Sequence, residues 1–105
     1  MESELVTALI EVKINPQRDM GYDRIAERIY QYEEVSGVYL TSGAYDLCVI
    51  IEGKTLQEVA AFVFARLAPI DGVDGTTTHF ILKKYKENGV VLIPPPEQQE
   101  RIVFV

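Results

Sequence analysis

The stretch Leu40 to Ile51, LTSGAYDLCVII, sets a carboxylate, Asp46, behind a Ser42-Gly43-Ala44 bend and immediately ahead of an apolar run. Strands disfavour aspartate, because its side chain competes for nearby backbone groups and gains nothing from a half-buried pleated surface, so this position calls for a reason. A glycine bend turns backbone N–H groups outward and permits close approach, while Asp46 supplies a fixed negative charge beside them. That pairing suits a zwitterion. An α-carboxylate would take the N–H groups and hydroxyls such as Thr76 or Thr78 of the run Gly75-Thr-Thr-Thr78, and an α-ammonium would take Asp46 or exposed carbonyls. The competing reading is plain turn chemistry, since Ser, Gly and Asp are ordinary turn residues and a threonine run is ordinary strand.

Other chemistries find little support. No Gly-rich loop ends in Gly-Lys-Ser/Thr and no G-x-G-x-x-G follows a strand, so the common nucleotide sites are missing. His79 is the single histidine. It falls mid-strand with Lys83 and Lys84 close behind, which favours a half-buried structural residue over a metal ligand. Cys48 is the single cysteine and sits in an apolar strand, where a small core hydrophobe is the simpler role than a nucleophile. With no Ser/His/Asp order and no paired carboxylates, neither catalysis nor a cofactor or metal is expected.

Sixteen acidic against ten basic residues give a formal net charge of -6, the wrong sign for neutralising phosphates, so direct nucleic-acid binding is not expected. The basic cluster Lys83-Lys84-Tyr85-Lys86 reads as a solvated strand end. One cysteine excludes an internal disulfide, and with neither a charged-then-apolar leader nor a long apolar segment the expected location is the cytoplasm, away from membranes.

The elements that must position Asp46 follow from periodicity. From about Leu5 to Ile14, LVTALIEVKI alternates, which predicts a half-buried strand with Val6, Ala8, Ile10, Val12 and Ile14 on one face. Asn15-Pro16 ends it. Tyr22, Ile25, Ala26, Ile29 and Tyr30 then make one stripe only in a helix. Val35 to Thr41 and Tyr45 to Glu52 predict a hairpin, with Asp46 at the mouth of its second strand. Thr55 with Glu58 is a capping box for a second helix, striped by Leu56, Val59, Ala60, Val63 and Leu67 and stopped by Pro69, leaving Phe62 and Phe64 outside the stripe and free to face a neighbouring subunit. After the turn Gly72-Val73-Asp74-Gly75, Thr76 to Tyr85 predicts the last strand.

The order β-α-β-β-α-β is the ferredoxin-like, α+β arrangement: a four-stranded antiparallel sheet with two helices on one face. Its other face would expose residues such as Leu9, and a second copy packing sheet to sheet is the simplest cover. Residues 1–87 thus read as one domain and 88–105 as an extension. The extension's three prolines separate the apolar stretches VVLI and IVFV, which suggests an arm contacting an oligomer.

At these residues the chain resembles a known family. VSGVYLTSGAYDLCVIIEG, with its Gly-x-Tyr-Asp turn, and Val73-x-x-Thr76-x-Thr78 leading to Ile81-Leu82 are similar to the effector-binding (RAM) domain of Lrp/AsnC, or feast/famine, transcription regulators. The resemblance covers about Leu5 to Lys86. It implies dimers that pair their sheets and assemble further, often to octamers, and an amino-acid effector held between dimers. Carried over by position, Thr41, Ser42, Gly43, Ala44, Tyr45 and Asp46 would form one wall of that site and Thr76 and Thr78 would contribute from the last strand. Only four residues precede the first strand, so the chain resembles the subgroup without a helix-turn-helix, which would sense an amino acid and pair with full-length regulators or act on another partner. The alternative is an enzyme on a dimeric ferredoxin-like α/β-barrel, a class that needs histidine, arginine or aromatic groups converging on a cavity.

Overall fold

A computed structural model describes residues 5–15 and 21–92. The elements are β1 (Val6–Ile14), α1 (Gly21–Tyr30), β2 (Val35–Leu40), β3 (Leu47–Gly53), α2 (Leu56–Phe62) continued by a π-helical turn (Val63–Leu67), β4 (Val73–Phe80), β5 (Lys86–Glu87) and β6 (Val90–Val91). The first four strands form one antiparallel sheet in the order β2-β3-β1-β4, so the two interior strands are the two most continuously apolar ones and the ferredoxin-like fold is present as expected.

Alternation does its work in β1. Ala8, Ile10, Val12 and Ile14 are buried with Leu47, Val49 and Ile51 of β3, and the helices close over them with Ile25, Ile29, Val59, Phe62, Val63 and Leu67. The α1 stripe is narrower than its spacing suggests: Ile25 and Ile29 are buried, while Tyr22 and Tyr30 at its ends are exposed. At α2 the capping box forms with a shifted return bond. Thr55 Oγ1 accepts from Glu58 N at 3.0 Å, and Glu58 Oε1 accepts from Lys54 N at 2.6 Å, one residue ahead of the cap.

Three expectations are corrected. Phe62 is core, because the buried stripe of this helix runs Val59, Phe62, Val63 and Leu67 and leaves Leu56 exposed; its ring meets Tyr32 edge-on at 5.3 Å. The π-turn, closed by Ala68 N donating to Val63 O at 2.9 Å, carries the stripe on to Leu67, and Phe64 points to solvent. Strand β4 begins at Val73 rather than Thr76 and ends at Phe80 rather than Tyr85. Its partner decides this: Phe80 lies opposite Ala8, and β1 has almost no residues left to pair beyond that point. Strand β3 begins at Leu47, so Asp46 stands just outside the strand it was expected to open.

Beyond β4, Asn88 (φ 53°) and Gly89 (φ 82°) both occupy the left-handed region, the signature of a two-residue hairpin turn, and they join β5 to β6. This hairpin spans the 87/88 boundary placed between domain and extension. Of the oligomer-contacting arm expected over residues 88–105, residues 93–105 lie outside the described residues.

Candidate functional site

Register decides which side chains share a face. Opposite partners Leu9, Ile50 and His79 form one row on the side away from the helices, and Glu11, Cys48 and Thr77 form the next. Lys13 and Gly75 continue that face to the end of the sheet at which the β2–β3 turn sits.

That turn is fastened from three directions. Gly43 carries φ 105°, which L side chains rarely adopt, so glycine is required at the bend. Thr41 N donates to Asp46 O at 2.9 Å and Thr41 Oγ1 donates to Tyr45 O at 3.2 Å, closing the loop on itself. Lys13 Nζ donates to Ala44 O at 3.1 Å, tying the bend to β1. Asp46 completes the set: its N donates to Val12 O at 3.0 Å, and its Oδ2 accepts from Ile14 N at 2.8 Å. The pairing of β1 with β4 slips between Lys13 and Ile14, and Asp46 supplies a charged acceptor to the backbone N–H of Ile14 at that irregularity. The aspartate thus has a structural duty that explains its place ahead of an apolar strand.

Tyr45 lies across the end of the sheet. Its hydroxyl is 2.8 Å from Thr77 Oγ1, linking the turn to β4. Between these elements is a shallow depression of about 410 Å³, lined by Lys13, Ala44, Tyr45, Asp74, Gly75 and Thr76. Of the residues expected from the sequence, the structure therefore brings Ala44, Tyr45 and Thr76 together. Thr41, Ser42 and Gly43 form the exposed turn tip, and Asp46 is turned toward Ile14. Thr78 is opposite Ile10, further along the sheet, and does not line the depression.

Four residues of this constellation were missed: Lys13, Asp74, Gly75 and Thr77. Lys13 had a signal, being the last outward-facing position of an alternating strand; Asp74 lies in a plain turn motif, and Gly75 and Thr77 belong to the run in which Thr76 and Thr78 are the expected contacts. Lys13, Asp74 and Gly75 place a cation, a carboxylate and a glycine backbone around one concavity, groups that suit a small zwitterion, and Thr77 supports it through Tyr45.

Two further expectations are corrected on the open face. His79 is exposed rather than half-buried, and its Nε2 is 3.1 Å from Glu11 Oε1. Cys48 is half-buried on this face and outside the core. Burial first, and the negative charge of Glu11 second, push its thiol above the usual range, so it is a poor nucleophile near neutral pH.

Comparison with known proteins identifies relatives of the chain. The Lrp/AsnC ligand binding domain family matches residues 7–91. The HTH-type transcriptional regulator YugG of Bacillus subtilis is 56% identical over 88 residues, covering 84% of this chain and 53% of the relative. The HTH-type transcriptional regulator FL11 of Pyrococcus abyssi is 38% identical over 85 residues, covering 81% of this chain and 52% of the relative. The chain thus spans about half the length of these relatives. Among solved structures, a transcriptional regulator of Neisseria meningitidis in complex with L-Met superposes with a TM-score of 0.73 at 22% identity, covering 83% of this chain and 56% of that one. Among the described residues no helix is long and apolar enough to cross a membrane.

Proposed function

We propose a function on one premise: this chain belongs to the Lrp/AsnC ligand-binding domain family. It is a non-catalytic module that binds an amino acid or a closely related small effector and self-assembles, in the service of transcription regulation. The observation that carries the reading is the depression at the end of the sheet, which Lys13 and Asp74 line together with Ala44, Tyr45 and Thr76. An α-carboxylate fits Lys13 and the Gly75 backbone; an α-ammonium fits Asp74 and the carbonyls of the turn. Asp46 serves this site by holding the turn against β1.

The depression is too shallow to bury a ligand by itself, so a second copy or a neighbouring dimer closes it, with Thr41, Ser42 and Gly43 reaching that neighbour from the turn tip. The open sheet face, with Leu9, Cys48 and Ile50 half-buried in a single chain, is the surface on which copies pair, and pairs assemble to a higher oligomer. The net charge of -6 argues for action through a DNA-binding regulator of the same family rather than through direct DNA contact. The L-Met bound to the Neisseria regulator and the regulator names of the relatives support an amino-acid effector and a non-enzymatic role. Native mass spectrometry after incubation with an amino-acid mixture tests both parts, since it reports the retained ligand and the subunit number. A chain that stays monomeric and retains no amino acid contradicts the reading.

A further inference from the structure

On the sheet face away from the helices, apolar side chains surround one acid. Leu9 and Ile50 stand in one row, Cys48 and Tyr39 in the next, and Glu11 sits among them on the interior strand β1. Glu11 is half-buried in a single chain, and its Oε1 lies 3.1 Å from Nε2 of His79, an exposed residue of β4 that is opposite Leu9 and diagonal to Glu11. The other charged groups of this face stand farther along it. Lys13, next beyond Glu11, donates to Ala44 O in the turn, and Glu52 is opposite Thr7 toward the other end. Cys48, across from Glu11, has its thiol pushed up by burial first and that carboxylate second, so it stays uncharged near pH 7.

Covering this face takes the Glu11 carboxylate out of water, which is costly unless a positive partner goes with it. His79 is that partner only when protonated. It is the single histidine of the chain, and histidine is the side chain that ordinarily changes charge between pH 5 and 8. We propose, on the reading that copies pair through this face, that pairing takes up a proton at each His79–Glu11 pair, so that assembly tightens as the pH falls from 7.5 to 5.5. The sign follows from linkage: the paired state favours charged His79 and binds the proton more tightly than the free chain does. The gain is therefore full on the acid side of the histidine range and is lost as the pH rises through it. A twofold interface contains the pair twice, which doubles the effect for each two chains joined.

Fluorescence-detected sedimentation of the full chain, labelled at its N-terminus and diluted through the nanomolar range, gives the dissociation constant of the pair at each pH. Carboxylates and lysines keep their charge across this interval, so a change in the constant reports on His79. The constant should be at least about tenfold larger at pH 7.5 than at pH 5.5. His79→Gln, which keeps an amide to bond Glu11 but has no proton to take up, should reduce that ratio to under about twofold. Glu11→Gln should also flatten it and should pair more tightly than the parent at pH 7.5, because no lone charge is then covered. A parent constant that does not move with pH, or a dependence that survives in His79→Gln, would overturn the proposal while leaving the pairing of copies intact. A chain that is monomeric at both pH values would overturn the pairing itself, and the proton uptake with it.

Discussion

Replacing Asp46 with Asn removes one charge and little else. In the parent, Asp46 Oδ2 accepts from the backbone N–H of Ile14 at 2.8 Å, and Ile14 itself is 1% exposed. A hydrogen bond to a charged group contributes about 1.5–3 kcal/mol and a neutral one about 0.5–1.5 kcal/mol. An asparagine carbonyl oxygen can take over the bond, so the expected cost is about 1 kcal/mol. For a domain of this size that lowers the melting temperature by about 4–8 °C. Because Asp46 faces β1 rather than the depression, effector affinity should change by less than about threefold, under 0.7 kcal/mol. Differential scanning fluorimetry beside calorimetric titration reads both quantities. An unchanged melting temperature together with an affinity loss of tenfold or more would refute the reasoning and place the carboxylate in direct contact with the ligand.

The remaining predictions follow from single features of the fold. Gly43→Ala should cost at least about 1 kcal/mol in thermal unfolding: the φ of 105° disfavours any L side chain, while nothing within 4 Å obstructs the added carbon. Phe62→Ala should lower unfolding stability by about 3–5 kcal/mol, and Phe64→Ala, at a position 81% exposed, should leave chemical denaturation of the isolated chain within about 0.5 kcal/mol of the parent. Cys48 should be alkylated more slowly at pH 8 than a free cysteine peptide. Glu11→Gln should raise that rate, because removing the negative charge lowers the thiol's pKa and increases the thiolate fraction, whereas an unchanged rate would assign the whole effect to burial.

Much of the fold was legible because its signals are local. The alternation of LVTALIEVKI, the Thr55–Glu58 cap and the Gly43 bend each specify their own geometry, and β-α-β-β-α-β order then leaves few topologies. The ends of β4 were not legible, because they depend on where β1 runs out of pairing partners. Phe62 was misplaced for a related reason: the stripe chosen began at Leu56, whereas the helix turns Val59, Phe62 and Val63 to the sheet. The Asn88-Gly89 hairpin carried a readable sequence signal that was overlooked in favour of the prolines that follow it. In the site, the turn was visible as a motif, but Lys13, Asp74 and Thr77 join it only through strand register. The two threonines singled out, Thr76 and Thr78, share the opposite orientation from Thr77, the threonine that bonds to Tyr45.

The central claim is that the depression beside the turn binds an amino acid through its own charged groups, and Asp74 is the cleanest place to ask. It is exposed and outside the core cluster, and Asp74→Asn removes its charge with little change of shape. Isothermal titration of parent and variant with the amino acid identified by native mass spectrometry should show saturable binding at one site per chain in the parent. The variant should bind at least tenfold more weakly, the loss of about 1.4 kcal/mol expected when a charged hydrogen bond is removed. Affinity unchanged in a folded Asp74→Asn variant, or no amino acid bound at millimolar concentration by the parent, would contradict the account.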